Sequence, residues 1–336
     1  MTEAPPAVRA WLLAVAGMIL LMIVLGGFTR LTESGLSMVE WRPVTGWLPP
    51  VGEAAWQAEL AKYANSPQGR MVNRGIGIAE FKEIFWLEYL HRLWGRLIGL
   101  AFALPLAWFW LRRQLPGWLK PRLLALFALG GLQGALGWAM VASGLVDRPA
   151  VSHYRLAAHL GLAVVLYAYT VHLILRLSPG IAIRPDRVIA TKAAALIGLL
   201  FVVLTWGAFV AGLRAGSAHA SFPTMSGYWI PPGMFDLAPG WINLFENGTT
   251  VQFIHRWLAK LLVLGVVVLA WRARRLDATL AAAMALAQMA LGAATVLTGV
   301  AIPIAAGHQA GAVILLTLLL VVRHRAAPSP PGPRVR

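Results

Sequence analysis

The chain has 336 residues, 59% hydrophobic and only 12% charged, with a mean hydropathy of +0.68, which excludes an ordinary water-soluble globule. Its formal net charge of +16 is spread over short loops rather than gathered on one face, which argues against a nucleic-acid partner. Cysteine is absent, so disulfides, iron–sulfur clusters and thiolate ligands are excluded.

In chain order, apolar runs at about 10 to 28, 91 to 111, 123 to 143, 156 to 176, 189 to 212, 255 to 271, 278 to 301 and 303 to 322 each approach the roughly 20 residues that cross ~30 Å of hydrocarbon. The first run has no small-residue cleavage site before the polar residues that follow it, and so reads as a span rather than a signal peptide. Between the first two runs lies a loop of about 29 to 84, with Thr29 to Ser37 reading TRLTESGLS, a Pro and Trp stretch, and a predicted helix near 53 to 64. A connection of that length ordinarily carries function. The third run contains Gly130, Gly134 and Gly137, which permit close helix approach. Between the fifth and sixth runs, about 213 to 251, Gly216, Gly227, Gly233 and Gly240 predict turns.

Cations follow every second run: Arg112, Arg113, Lys120 and Arg122; then Arg176, Arg184, Arg187 and Lys192; then Arg272, Arg274 and Arg275; and last Arg323 and Arg325. By the positive-inside rule these loops and both termini are cytoplasmic, with attraction to anionic lipid a secondary effect.

The two halves of the chain resemble each other. LQGALGWAMVASGL at 132–145 matches AQMALGAATVLTGV at 287–300, and Gly26-Gly27-Phe28 matches Gly207-Ala208-Phe209. Further on, Pro43 to Trp47-Leu48-Pro49-Pro50 matches Pro223 to Trp229-Ile230-Pro231-Pro232. Each half has an even number of spans, so the second enters the membrane in the same orientation as the first. The expected fold is an all-α integral membrane protein of eight transmembrane helices, arranged as two parallel-repeat four-helix bundles, residues 1–180 and 181–336.

Four histidines follow the repeat. Glu88-Tyr89-Leu90-His91-Arg92 matches Gln252-Phe253-Ile254-His255-Arg256, while His159 and His308 lie near the start of the fourth and eighth spans. From helix rise, each stands roughly 22 to 32 Å from the cytoplasmic arginine that ends its helix, so all four are expected near the outer face. A lone interfacial histidine is ordinarily a satisfied polar residue, but four at one depth in repeat-related pairs point to metal ligation. Two helices that bring imidazoles to the same depth can hold a haem between them, because its iron accepts axial histidine on both faces. Covalent c-type attachment is excluded by the lack of cysteine. His172, about 20 Å deeper and on another helix face, reads as a packing residue. His324 lies in the basic tail, and His153 and His219 read as solvated loop residues.

The halves differ beside these ligands. Glu88 shares a helical face with His91, whereas Gln252, which cannot take a proton, holds the matching place. A carboxylate near a haem relays protons, acts as a base or stabilises developing positive charge, unless it does no more than orient His91. The first half therefore reads as the reacting site and the second as a fixed redox cofactor. Arg92 and Arg96 correspond to Arg256 and Lys260, with two readings open: pairing with haem propionates or snorkelling to the interface.

Taken together, GGFTRLTESGLSMVEWRPVTGWLPP, EYLHR, RLAAHLGLA, GLRAG, FPTMSGYWIPP, QFIHRWLAK and GHQAGA make the chain resemble the haem A synthase family over nearly its whole length, in the cysteine-free type with a long first loop. The resemblance implies a haem-modifying oxidoreductase that oxidises a methyl group of haem O through an alcohol to the formyl group of haem A, for cytochrome c oxidase. It implies His91 and His159 flanking substrate haem O, Glu88 as catalytic carboxylate, and His255 and His308 ligating haem b. Expected partners are haem O and haem A, the bilayer, an electron donor, haem O synthase, cytochrome c oxidase assembly factors and a second copy of the chain. The expected location is the bacterial inner membrane. The four histidines alone fit a dihaem b-type cytochrome oxidising quinol equally well, and a haem carrier is a further alternative. A transporter fits poorly, because the ionisable residues cluster at one face rather than at the midplane.

Overall fold

A computed structural model describes residues 4–42, 45–145, 150–178 and 185–327. Pro43 and Arg184 lie outside the described residues. Regular structure among the described residues is helical, apart from one isolated bridge between Met225 and Tyr228. In chain order the helices are α1 (Pro6–Leu31), α2 (Glu53–Ala64), α3 (Pro67–Met71), α4 (Ile78–Leu111), α5 (Lys120–Gly144), α6 (His153–Arg176), α7 (Arg187–Gly212), α8 (Asn243–Glu246), α9 (Gly248–Ala273), α10 (Leu276–Leu297) and α11 (Ile302–Ala326). Eight of them, all but the short α2, α3 and α8, are long and apolar enough to cross a membrane.

Large apolar side chains stand exposed along these helices, among them Leu104, Trp108, Leu124, Phe127, Trp138 and Leu264. Such surface is stable against lipid tails and costly in water. Contacts divide the chain into two compact units, one of Met1–Leu166 with Ala211–Leu213, the other of Tyr167–Val210 with Arg214–Arg336. The division falls within α6, so the halves 1–180 and 181–336 remain a statement about the sequence repeat.

In the first unit α1 packs on α4. Pro105 lies inside α4 and has no N–H to offer the carbonyl of Ala101, four residues earlier. The indole N–H of Trp11 on α1 donates to that carbonyl at 2.7 Å, and Trp94 on α4 donates to Met18 O on α1 at 2.9 Å. A backbone carbonyl freed in hydrocarbon is thereby satisfied by the neighbouring helix.

The apolar run places the second span at 91, but α4 begins at Ile78. Its outer turns carry Glu80, Lys82 and Glu83 and so fall outside a hydropathy window, yet Phe81, Phe85 and Tyr89 recur at helical spacing. With Trp56 and Tyr63 of α2 these rings form a separate aromatic core, against which Met38 and Val39 pack. Tyr63 donates to Gln68 Oε1 at 3.2 Å, and Gln68 Nε2 donates to Glu33 O at 2.9 Å. The connection between α1 and α4 is thus folded, and in it α2 matches the helix expected near 53 to 64.

In the second unit α10 packs against both α9 and α11. Asn247 caps α9, its side-chain oxygen accepting from Thr249 N at 3.0 Å and Thr250 N at 3.3 Å, so α9 also starts earlier than the expected 255. Of the four glycines expected at turns, Gly227 and Gly233 lie in turns at φ 89° and 79°, whereas Gly216 and Gly240 lie in short 3₁₀ segments, Ala215–Ser217 and Gly240–Ile242.

Candidate functional site

His91 lies about three turns inside α4, His159 about two turns inside α6, His255 about two turns inside α9 and His308 about two turns inside α11. In the first unit His91 is near enough to His159 for their charges to interact, and in the second His255 stands in the same relation to His308. The sequence-predicted pairs are therefore brought together within each unit.

All four rings keep partial exposure, but the Nδ1 atoms of His91, His159 and His308 are buried without a hydrogen-bond partner. His255 Nδ1 lies 3.1 Å from Val203 O. An Nδ1–H bonded to a carbonyl leaves Nε2 with its lone pair available to a metal. No group of three His, Asp or Glu side chains able to hold a metal ion occurs among the described residues. The donor set is two imidazoles in each unit, a set that fits a planar group that itself supplies four equatorial ligands.

The supports of His159 and His308 repeat as closely as the ligands. On α5, Gln133 Nε2 donates to His159 O at 3.0 Å, and on α10 Gln288 Nε2 donates to His308 O at 2.5 Å. One turn beyond each glutamine, Gly137 and Gly292 lie under the facing imidazole. Gly130 and Gly134 meet no neighbour within 4 Å, so only one of the three glycines singled out in the third span makes a close approach.

Glu88 is buried, and its carboxylate faces the loop between α1 and α2. Its Oε2 accepts from Ser37 Oγ at 2.7 Å and from Met38 N at 2.6 Å, while Oε1 pairs with Arg92. With two lone pairs on each oxygen, Oε2 is saturated and Oε1 keeps one acceptor site. Ser37 is buried as well, and the sequence, which sets it at the end of TRLTESGLS, gives it no role. Only its place in the repeat marks it: in the register that sets Gly26 against Gly207, Ser37 falls opposite Ala218. Gln252 correspondingly has no hydroxyl to accept from; it donates to Gly216 O at 3.2 Å, and its own oxygen is buried without a partner.

Both motif arginines clamp an inter-span loop. Arg92 donates to Met38 O and Glu40 O, each at 2.8 Å. Arg256 donates to His219 O at 2.6 Å, Ser221 O at 2.7 Å and Thr224 O at 3.2 Å. In the same register His219 and Ser221 answer Met38 and Glu40, so the clamp belongs to the repeat. The preceding turns also correspond: short 3₁₀ segments at Ser34–Leu36 and Ala215–Ser217 each follow a left-handed residue, Glu33 at φ 56° and Arg214 at φ 54°. Arg96 donates to Arg42 O at 2.7 Å and lies 5.7 Å from the Trp47 ring centroid, while Lys260 lies 4.3 Å from that of Trp257 and 5.6 Å from that of Trp229.

Three of the four remaining histidines are held in protein contacts, and His324 lies in the last turn of α11. His153 is buried at the start of α6 rather than solvated, packed against Gly212. His219 Nδ1 lies 2.9 Å from Ser226 Oγ, and its Nε2 lies 3.3 Å from Thr249 Oγ1. His172 stacks on Tyr169.

By class this is an eight-span membrane protein in which paired imidazoles on apolar helices suit a haem-type group. Residues 9–320 match the family described as cytochrome oxidase assembly protein. The haem A synthase of Rhodospirillum centenum is 49% identical over 98% of this chain and 91% of its own length. That of Parvibaculum lavamentivorans is 48% identical over 96% and 94%, and that of Paracoccus denitrificans 47% over 95% and 88%. The chain belongs to this family of haem A synthases.

Proposed function

We propose that this chain is an oxidoreductase of the bacterial inner membrane that converts haem O to haem A, oxidising a porphyrin methyl group through an alcohol to a formyl group for cytochrome c oxidase. Family membership supports the reaction, and the asymmetry between the repeat-related pairs supports the division of labour. The observation that carries it is that Glu88, held by Ser37, Met38 N and Arg92, stands one turn from His91, whereas uncharged Gln252 stands one turn from His255. His91 and His159 are assigned to substrate haem O, and His255 and His308 to a resident haem b, in two four-helix bundles of parallel repeat.

A bound haem b supplies one-electron redox chemistry, linking the reaction to an electron donor. The chain's own residues position and exclude. Ser37 and Met38 N fix one carboxylate oxygen of Glu88, and Arg92 balances its charge. The remaining acceptor site on Oε1 is the place where Glu88 takes a proton or stabilises positive charge on the reacting carbon. Arg92 and Arg256 hold the two outer loops, each beside its histidine. Arg96 and Lys260, against exposed indoles, are the better placed propionate partners, with Arg92 and Arg256 contributing charge at longer range. The cation-rich loops assign both termini to the cytoplasm and the histidine pairs to the outer side. Haem O synthase, cytochrome c oxidase assembly factors and a second copy of this chain are the proposed protein partners.

Expression of wild type and Glu88→Gln in cells that supply haem O tests this reading. Glu88→Gln is expected to keep both haem sites and lower haem A formation by at least about 100-fold, the scale of a lost acid–base group. Normal haem A formation by Glu88→Gln would remove the carboxylate from the mechanism.

A further inference from the structure

Four glycines stand against the four histidines. A Cβ built on Gly26 of α1 would lie 3.2 Å from His91 Cε1, and one on Gly137 of α5 would lie 3.1 Å from His159 Cε1. In the second unit a Cβ on Gly207 of α7 would lie 3.1 Å from His255 Cε1, and one on Gly292 of α10 would lie 2.9 Å from His308 Cε1. Gly26 matches Gly207 and Gly137 matches Gly292 in the repeat, so the arrangement occurs twice over. Helical glycine costs roughly 0.5–1 kcal/mol relative to alanine, and nothing local to these helices requires it.

We infer that Gly26, Gly137, Gly207 and Gly292 are positioning residues: each provides a flat backbone platform that sets the plane and depth of the imidazole facing it. The inference rests on the assignment of these histidines as axial ligands. A Cβ at 2.9 Å, as at Gly292, forces a shift, and at 3.1 to 3.2 Å, as at the other three, it is tighter than ordinary packing, so a methyl group displaces the ring by a few tenths of an ångström or turns it about its Cβ–Cγ bond. Cε1 is bonded directly to both ring nitrogens, so either response moves the nitrogen offered to iron. The glutamine one turn away on α5 and α10 holds the backbone of the same histidine, which leaves the ring itself to absorb the change.

The same helices supply controls. Cβ atoms on Gly17 of α1, Gly131 and Gly134 of α5 and Gly198 of α7 would meet nothing within 4 Å. Alanine at these places gains helix propensity without touching a ligand.

The test uses full-length protein purified from membranes with its bound haem, comparing Gly207→Ala and Gly292→Ala with Gly198→Ala and Gly131→Ala. The readouts are the low-spin electron paramagnetic resonance g-values, the reduction midpoint and the haem content per chain. Shifted g-values and midpoint, or loss of haem from protein that stays monodisperse and helical, are expected for Gly207→Ala and Gly292→Ala alone. The shift is expected to be larger at Gly292, the tighter of the two. Should Gly292→Ala fail to accumulate, Gly207→Ala carries the same comparison with more room. Spectra and midpoints equal to wild type in both variants, or equal changes in the controls, would overturn the inference. His255→Ala and His308→Ala separate the two levels: if these leave the haem spectrum unchanged, the ligand assignment fails, whereas if they abolish it while the glycine variants are silent, only the platform fails.

Discussion

Ser37 and Ala218 hold the same place in the two halves of the repeat, and the difference between them follows the difference between Glu88 and Gln252. A carboxylate wants donors and finds a hydroxyl, a backbone N–H and a guanidinium; an amide brings its own donor and finds a carbonyl. Removing the hydroxyl with Ser37→Ala takes one of the two donors from Glu88 Oε2. A hydrogen bond to a charged group contributes about 1.5–3 kcal/mol, so haem A formation is expected to fall on the order of tenfold while both haem spectra stay as in wild type. Unchanged haem A formation by Ser37→Ala would mean that the hydroxyl does not position the carboxylate. At this scale the histidines, Glu88 and the motif arginines were legible, since they stand in near-copies of one motif. Ser37 was not, because its partner is far away in sequence and a serine in a polar loop attracts no notice.

At the scale of the element, spans were legible from hydropathy, but their outer ends were not. A hydropathy window stops where charge begins, whereas α4 continues through Glu80, Lys82 and Glu83 because Phe81, Phe85 and Tyr89 bury against Trp56 and Tyr63. The i, i+4 recurrence of aromatics was the signal that marked the extension. The loop after α7 is held differently, by Arg256 and by His219, which bridges Ser226 and Thr249. Burial, followed by the charge of Arg256, holds the His219 imidazole below its ordinary value of 6.5. The folded loop thus resists a proton that the unfolded chain takes up at 6.5, so the stability from neutral His219 is present above that pH and is lost as pH falls below it. The protection of residues 219–226 from hydrogen exchange, taken relative to the intrinsic amide rate at each pH, is expected to fall on acidification below pH 6.5, and His219→Gln is expected to abolish that dependence. An identical acid response in His219→Gln would assign it to another group.

Across the whole molecule, the repeat links the sequence to the chemistry. It places a histidine pair in each unit, a glutamine and a glycine against the second histidine of each pair, and an arginine clamp on the loop beside the first histidine of each pair. Those supports were visible in the sequence only as matched letters, because nothing in LQGALG or AQMALG says that one turn of helix separates a carbonyl grip from a ring platform. Against this shared frame the halves differ at the carboxylate. The first is accordingly read as the half where a haem is altered, the second as the half where one is retained.

Chromatography and mass analysis of porphyrins extracted from purified wild type, His91→Ala and His255→Ala tests that division most directly. Wild type is expected to yield haem b together with haem O, its alcohol or haem A. His255→Ala is expected to lose haem b, and His91→Ala to lose the farnesylated haems while keeping haem b. Haem b as the only porphyrin of the wild type, or the same loss in both variants, would contradict the assignment of one half to the substrate and the other to the cofactor.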